Sequence, residues 1–214
     1  PDRDQPKSSD GVDKVLALDV VARFLVTREL LPSLSARARV MSVLGSTVRV
    51  PPPPAEQDIR DIALGSRSTY GLGDILGTAG VLGDTWMQRM AALHPGITFI
   101  GTWPGVVGDD LVSHSKTFPW WLRPFLAAGD KLVGMPVEQA GKIHVQILTS
   151  PNAGKRAVGY FNVKLEGRLT NPLAYDHGFQ QWTWEFLEEL VANHTGHAAG
   201  HWHAVEGRDA GLVV

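Results

Sequence analysis

The sequence predicts an α/β fold built on a parallel sheet, and three observations carry that reading. Hydrophobic periodicity changes along the chain in the order helix, strand, helix, strand, helix, strand, helix. The strand candidates are short apolar runs without polar alternation, as expected of strands buried on both faces. The clearest of them, Ile97-Thr98-Phe99-Ile100-Gly101-Thr102-Trp103, follows a helix directly and stops at Pro104-Gly105. Ligands of open α/β sheets bind at the carboxyl ends of the strands, so Pro104, Gly105, Val106 and Val107 form the first candidate binding edge.

In chain order, residues 1–9 read as a polar, Pro-containing tail. Asp10 is placed to cap a helix running to about Leu31, with Pro32 and Ser33 in its last turn or just beyond. Its apolar residues, among them Val12, Leu16, Leu18, Phe24 and Leu30, cover more than one stripe and predict burial on two sides. Ala38 to Leu44 is the first strand. After Pro51–Pro54, the stretch from Ala55 to Ser68 reads as irregular and polar, a connection long enough to be a functional or disordered loop.

The next helix, Gly73 to Leu93, carries a stripe at Ile75, Ala79, Leu82, Trp86, Met90 and Leu93. It also holds Gly77, Gly80 and Gly83, each costing roughly 1 kcal/mol against Ala in helix propensity. The row means either close approach to another backbone or a broken helix start. His94-Pro95-Gly96 ends the helix, with Pro as a stop and Gly suited to a left-handed cap. Gly108 to Gly134 is long and aromatic. Pro136 in the first turn and Glu138 near the positive end open a helix through Leu148. Ala157 to Val163 is the third strand, expected beyond the central one by the right-handed crossover rule. Asp176 caps a last helix with Phe179, Trp182, Phe186 and Leu190 on one face, and the period is lost from Asn193.

The totals narrow the function classes. With 214 residues and 43% hydrophobic content the chain can bury a core. A net charge of -2 gives no electrostatic case for nucleic acid or an anionic membrane, and no apolar run is long enough for a transmembrane segment. The absence of cysteine removes disulfides, thiolate metal sites and a cysteine nucleophile. Together with an opening that lacks a signal-peptide pattern, it predicts an intracellular, cytoplasmic protein.

The stretches DGVDKVLALDVVARFLVTRELLPSL, ARVMSVLG, MAALHPGITFIGTWPGVV and MPVEQAGKIHVQIL, in that order, resemble the short-chain dehydrogenase/reductase family. The likeness is to a fungal, retinol-dehydrogenase-like, NAD(P)-binding branch, and it extends with the terminal helix over about Asp10 to Ala192. It implies a Rossmann-like parallel sheet, of which the chain holds only the last three strands, flanked by helices. The domain plan is then a tail at 1–9, a partial Rossmann-like domain at 10–192 and a Gly/His-rich tail at 193–214. The resemblance also implies NAD or NADP as cofactor and hydride transfer to or from a carbonyl or alcohol, with Pro104, Gly105, Val106 and Val107 against the nicotinamide. As partners it implies a homodimer or the missing N-terminal half, and a small apolar substrate.

Departures from the family pattern are as informative. The Gly-rich turn Thr-Gly-x-x-x-Gly-x-Gly, whose amides hold the cofactor pyrophosphate, has no counterpart in this sequence. An ungapped placement puts Leu76 at the catalytic Tyr and Gly80 at the Lys four residues later, and neither can move a proton. The catalytic Ser falls at Gly45, with Ser46 beside it, and the helix Asn falls at Asp19. Asp109 stands where a Thr would meet the cofactor, and its charge would repel a phosphate. These departures predict that the isolated chain binds neither NAD nor NADP usefully. Ser46 and Tyr70 are the remaining catalytic candidates, against an ordinary loop serine and a packed tyrosine. Tyr70 lies six residues before Leu76, roughly 9 Å along a helix axis, too far to substitute.

Other candidates lie outside the resemblance. His194, His197 and His201 would share a helix face and could hold zinc, nickel or copper, against a solvated tail that happens to contain histidines. The aromatic residues from Phe118 to Phe125 read as a substrate lid, a membrane-touching patch or a dimer contact. Three functions follow from the sequence: an oxidoreductase portion, a non-catalytic binding relative, and a non-redox cyclase or isomerase on the same scaffold.

Overall fold

The computed structural model describes residues 7–9, 11–43, 55–66, 71–105, 107–108, 121–125, 128–129 and 134–195. Strands β1 (Arg39–Val43), β2 (Thr98–Thr102) and β3 (Val158–Phe161) form one sheet in the order β1-β2-β3, with both pairings parallel. Met41 lies opposite Ile100, and Ile100 opposite Gly159. Successive residues of a strand face opposite sides, so Phe99 and Ile100 of the central strand enter different layers. Phe99 joins Val40, Val158 and Tyr160 in the main core, whereas Ile100 packs with Met41, Phe161 and Ile147 on the other face.

Each face is covered by a helix. On the Phe99 side lies α4 (Leu72–Leu93), and on the Ile100 side lies α5 (Val137–Thr149). Because the strands advance in one direction while these helices sit on opposite faces, the two crossovers have opposite hands. The right-handed rule therefore accounts for only one of them, although the strand order is as expected.

Helix α4 is continuous, which settles the question of a broken start, and every residue from 77 to 87 is buried. A helix apolar all round needs cover on every side. The sheet supplies one side, and α6 (His177–Thr195) and the first helix supply others. Phe24 meets Trp86 edge-on at 6.3 Å and Trp184 at 5.1 Å. Asp176 caps α6 as expected, accepting from Phe179 N at 2.7 Å. Helix α6 continues to Thr195, beyond the residue at which its period is lost.

The first helix departs from expectation in two ways. Its cap is Asp13, not Asp10: Asp13 Oδ1 accepts from Val15 N at 2.9 Å and Leu16 N at 3.2 Å. It also buries one face, not two: Leu16, Val20, Phe24 and Arg28 are buried, while Leu18 is 70% exposed. A spacing of four drifts by about 40° per step on a plain α-helix. Here α1 (Lys14–Leu16) and α2 (Ala22–Leu30) are joined by a π-helical stretch, Ala17–Val21, closed by Ala22 N–H on Ala17 O. The wider turn takes up the drift and keeps the four residues in line. A 3₁₀ turn, Leu31–Ser33, ends the helix around Pro32.

The stretch from Ala55 to Ser68 is not irregular throughout. It contains α3 (Glu56–Ala63), which buries Ile59, Ile62 and Ala63 and places Glu56 and Asp58 in its first turn. Gly96 is not in the left-handed region; a Cβ there would stand 2.7 Å from Ala36 O, so close backbone approach excludes a side chain. Pro136 is the cap of α5 and not a residue of its first turn. Among the described residues, no helix is long and apolar enough to cross a membrane.

The one-faced burial of the first helix sets a contrast. Phe24→Ala should destabilise the protein by about 3–5 kcal/mol, and Leu18→Ala by less than about 0.5 kcal/mol. Urea unfolding midpoints of the two variants check this.

Candidate functional site at the carboxyl end of the sheet

The carboxyl ends of the three strands converge on one edge. At β1, Arg23 on α2 donates from Nη1 to Val43 O at 2.7 Å and to Ser42 Oγ at 3.3 Å. Its Nη2 pairs with Asp19 Oδ1, one turn earlier, at 3.3 Å. Both side chains are about one-third exposed, so the ion pair itself contributes little. Its effect is positional: Arg23 is held over the end of β1.

At β2, Thr102 is fully buried and its hydroxyl has no hydrogen-bond partner. Trp103 is exposed beyond it, and Trp103 N donates to Phe161 O at 3.4 Å. Gly105 has φ +71, a conformation that strains L side chains, so its backbone turn requires Gly. Val107 then forms a parallel bridge with Met135. At β3, buried Asn162 closes a turn. Its Oδ1 accepts from Lys164 N and Glu166 N, each at 3.0 Å, and its Nδ2 donates to Glu166 Oε2 at 2.9 Å. The Asn162 bond and the nearby cations hold the Glu166 carboxyl below its usual range.

The structure thus brings Pro104, Gly105 and Val107 to the edge where Arg23 caps β1. Ser46, Tyr70, Val106, Asp109, His197 and His201 lie outside the described residues, as do Gly45 and the His194 side chain. Leu76 is 51% exposed on α4 and Gly80 is buried in it. Among the described residues, no three His, Asp or Glu side chains are grouped so as to hold a metal ion.

A second polar cluster was not evident from the sequence. Asp84 is buried in α4, and its carboxylate accepts from the hydroxyl of Thr170. The Tyr160 hydroxyl donates to Asp84 O at 3.2 Å and accepts from Gln88 Nε2 at 3.1 Å. Burial pushes the Asp84 carboxyl up to about 7, against the opposing effect of the Thr170 bond. Burial also pushes the Tyr160 phenol well above its usual value, with the Asp84 charge adding to the effect. The cluster ties β3 and the segment after it to α4. The available signal was an acidic residue between the apolar stripe positions Leu82 and Trp86.

Fold and edge together define an α/β chain with a three-stranded parallel sheet flanked by helices. No protein-family model matches the sequence. Over 149 residues the chain is 28% identical to a protein named Oxidoreductase AN1596 from Emericella nidulans, an alignment covering 66% of this chain and 41% of that protein. The chain is thus a distant relative of an oxidoreductase and spans about two fifths of the length of the relative it matches.

Asp84 sets a pH dependence. A carboxyl raised in the folded state from 3.8 to about 7 binds its proton more tightly there than in the unfolded chain. Its contribution to stability is therefore full below about pH 4 and lost as pH rises through 7. Asp84→Asn should remove that slope, so the variant gains on the parent between pH 5 and pH 8. Urea midpoints of the pair across this range check it.

Proposed function

We propose that this chain is the carboxyl-side portion of an oxidoreductase scaffold of the short-chain dehydrogenase/reductase kind, and that it does not transfer hydride by itself. The parallel β1-β2-β3 sheet, with its Pro104-Gly105 turn at the end of β2, carries the proposal. The likeness to an oxidoreductase over part of that relative's length supports it. On this reading Pro104, Gly105, Val106 and Val107 form the nicotinamide edge for NAD or NADP, and the scaffold's substrate is a small apolar carbonyl or alcohol compound.

The residues of this chain do not fit a complete cofactor site. The Gly-rich pyrophosphate turn has no counterpart in the sequence. Leu76 and Gly80 offer no proton at the positions matching the Tyr and Lys. Arg23 already occupies Val43 O and Ser42 Oγ at the end of β1.

Two features favour association. Among the described residues β1 has no strand on its outer side, and an uncovered strand edge can accept another strand. Leu18, Val26 and Leu30 leave apolar side chains exposed on the first helix, which supports a homodimer through it.

Titration of the 214-residue chain with NADH and NADPH, followed by nicotinamide fluorescence, tests the proposal. The expected result is no saturation in the micromolar range and no carbonyl-dependent NADPH oxidation. A micromolar Kd for either nucleotide would overturn it.

A further inference from the structure

A cleft of about 660 Å³ runs along β3 from Lys155 and Arg156 to Phe161 and Gly167, and its lining includes none of Pro104, Gly105 and Val107. Gln88, Ala91 and Ala92 at the end of α4 form part of its lining, with Tyr160 of β3. Lys155 and Arg156, which lead into β3, also line it, as do Arg168, Leu169 and Tyr175. The volume is that of a small-molecule site.

The lining has a marked charge. Lys155, Arg156 and Arg168 are its charged residues, and no carboxylate belongs to it. Neither Lys155 nor Arg156 has an ion-pair partner among the described residues. Arg168 pairs through Nη2 with Glu166 Oε2 at 3.2 Å, a contact exposed on both sides. The same lining leaves apolar surface in water: Leu169 is 80% exposed and Tyr175 is 44% exposed. Such surface beside uncompensated cations is suited to a ligand that is anionic at one end and apolar at the other. The wall is also held in place. Thr170, next to Leu169, bonds to Asp84, and Gln88 bonds to the Tyr160 hydroxyl. A fixed wall loses little freedom on binding.

We propose that this cleft binds a small organic oxyanion with an apolar body. The oxyanion is placed toward Lys155 and Arg156, and the body against Leu169 and Tyr175. The site is separate from the nicotinamide edge, and the proposal does not depend on that reading. Glu166 limits it by neutralising Arg168.

Fluorescence titration with 8-anilinonaphthalene-1-sulfonate, an aromatic sulfonate, tests the site on the full chain. Saturable binding is expected, displaced by decanoate and not by inorganic phosphate at equal concentration. The double variant Lys155→Glu/Arg156→Glu should weaken binding by about tenfold, on the scale of two partly screened charge contacts. Lys142→Glu, a charge reversal on exposed α5 surface, should leave it unchanged, and Glu166→Gln should tighten it. Leu169→Ser, at an exposed position, should weaken it without altering the unfolding midpoint. An unchanged Kd in the double variant, or displacement by phosphate as effective as by decanoate, would overturn the proposal.

Discussion

The burial of α4 on every side is the constraint on which the rest of the molecule depends. A surface helix needs one partner, but α4 is enclosed from residue 77 to residue 87 and so needs several. The sheet cannot surround it. Phe24, Trp184 and Phe186 bring the first helix and α6 against the remaining sides, and the 3₁₀ turn Pro172–Tyr175 lies against it too. The turn of small residues Gly77, Thr78, Ala79 and Gly80, spread around the helix, allows this enclosure, and no charged group intrudes in that run. The one acid further along, Asp84, accepts from the Thr170 hydroxyl.

Ion pairs then join the elements that enclose α4. Arg28, buried on α2, pairs with Glu188 of α6 at 2.5 Å and with Glu29 at 2.9 Å. Burial opposes its charge, yet the two carboxylates outweigh this and raise its pKa. Arg60 of α3 pairs with Glu189 at 2.9 Å and stands over the Phe186 ring at 4.8 Å. At the start of β1, Arg39 donates to Leu148 O at 2.5 Å and Ser150 O at 2.9 Å, at the carboxyl end of α5 where carbonyls lack helical partners. With Arg23 at the other end, β1 is tied to a helix at each terminus.

How far the sequence reveals this structure depends on the range of the forces involved. Strand identity and order were legible because the apolar runs at β1, β2 and β3 report local burial. Helix α4 was legible for the same reason, since its stripe from Ile75 to Met90 is long. Helix α3 was not, because Ile59, Ile62 and Ala63 are few among charged neighbours and follow four prolines. The side of the first helix that is exposed was hidden by Leu18, Val26 and Leu30, which look like core residues. The polar contacts were the least legible. Asp84 meets Thr170 across 86 positions and Arg28 meets Glu188 across 160, so only the tertiary fold makes them neighbours. At the carboxyl edge, Pro104 and Gly105 could be placed from local signals, whereas the contact of Arg23 with Val43 O could not.

The π-helical stretch at Ala17–Val21 has a consequence for comparing this chain with others. A bond from Ala22 N–H to Ala17 O encloses one residue more than an α-helical turn. A relative whose corresponding helix is α throughout would reach the same length of axis with one residue fewer. Aligning the two without a gap would then make one side of the stretch correct and shift the other by a single position, about 100° around the helix. Asp19 lies inside this stretch. Its letter-by-letter counterpart in such a relative and its counterpart in space are therefore different residues, and equivalence there has to be judged on superposed backbones.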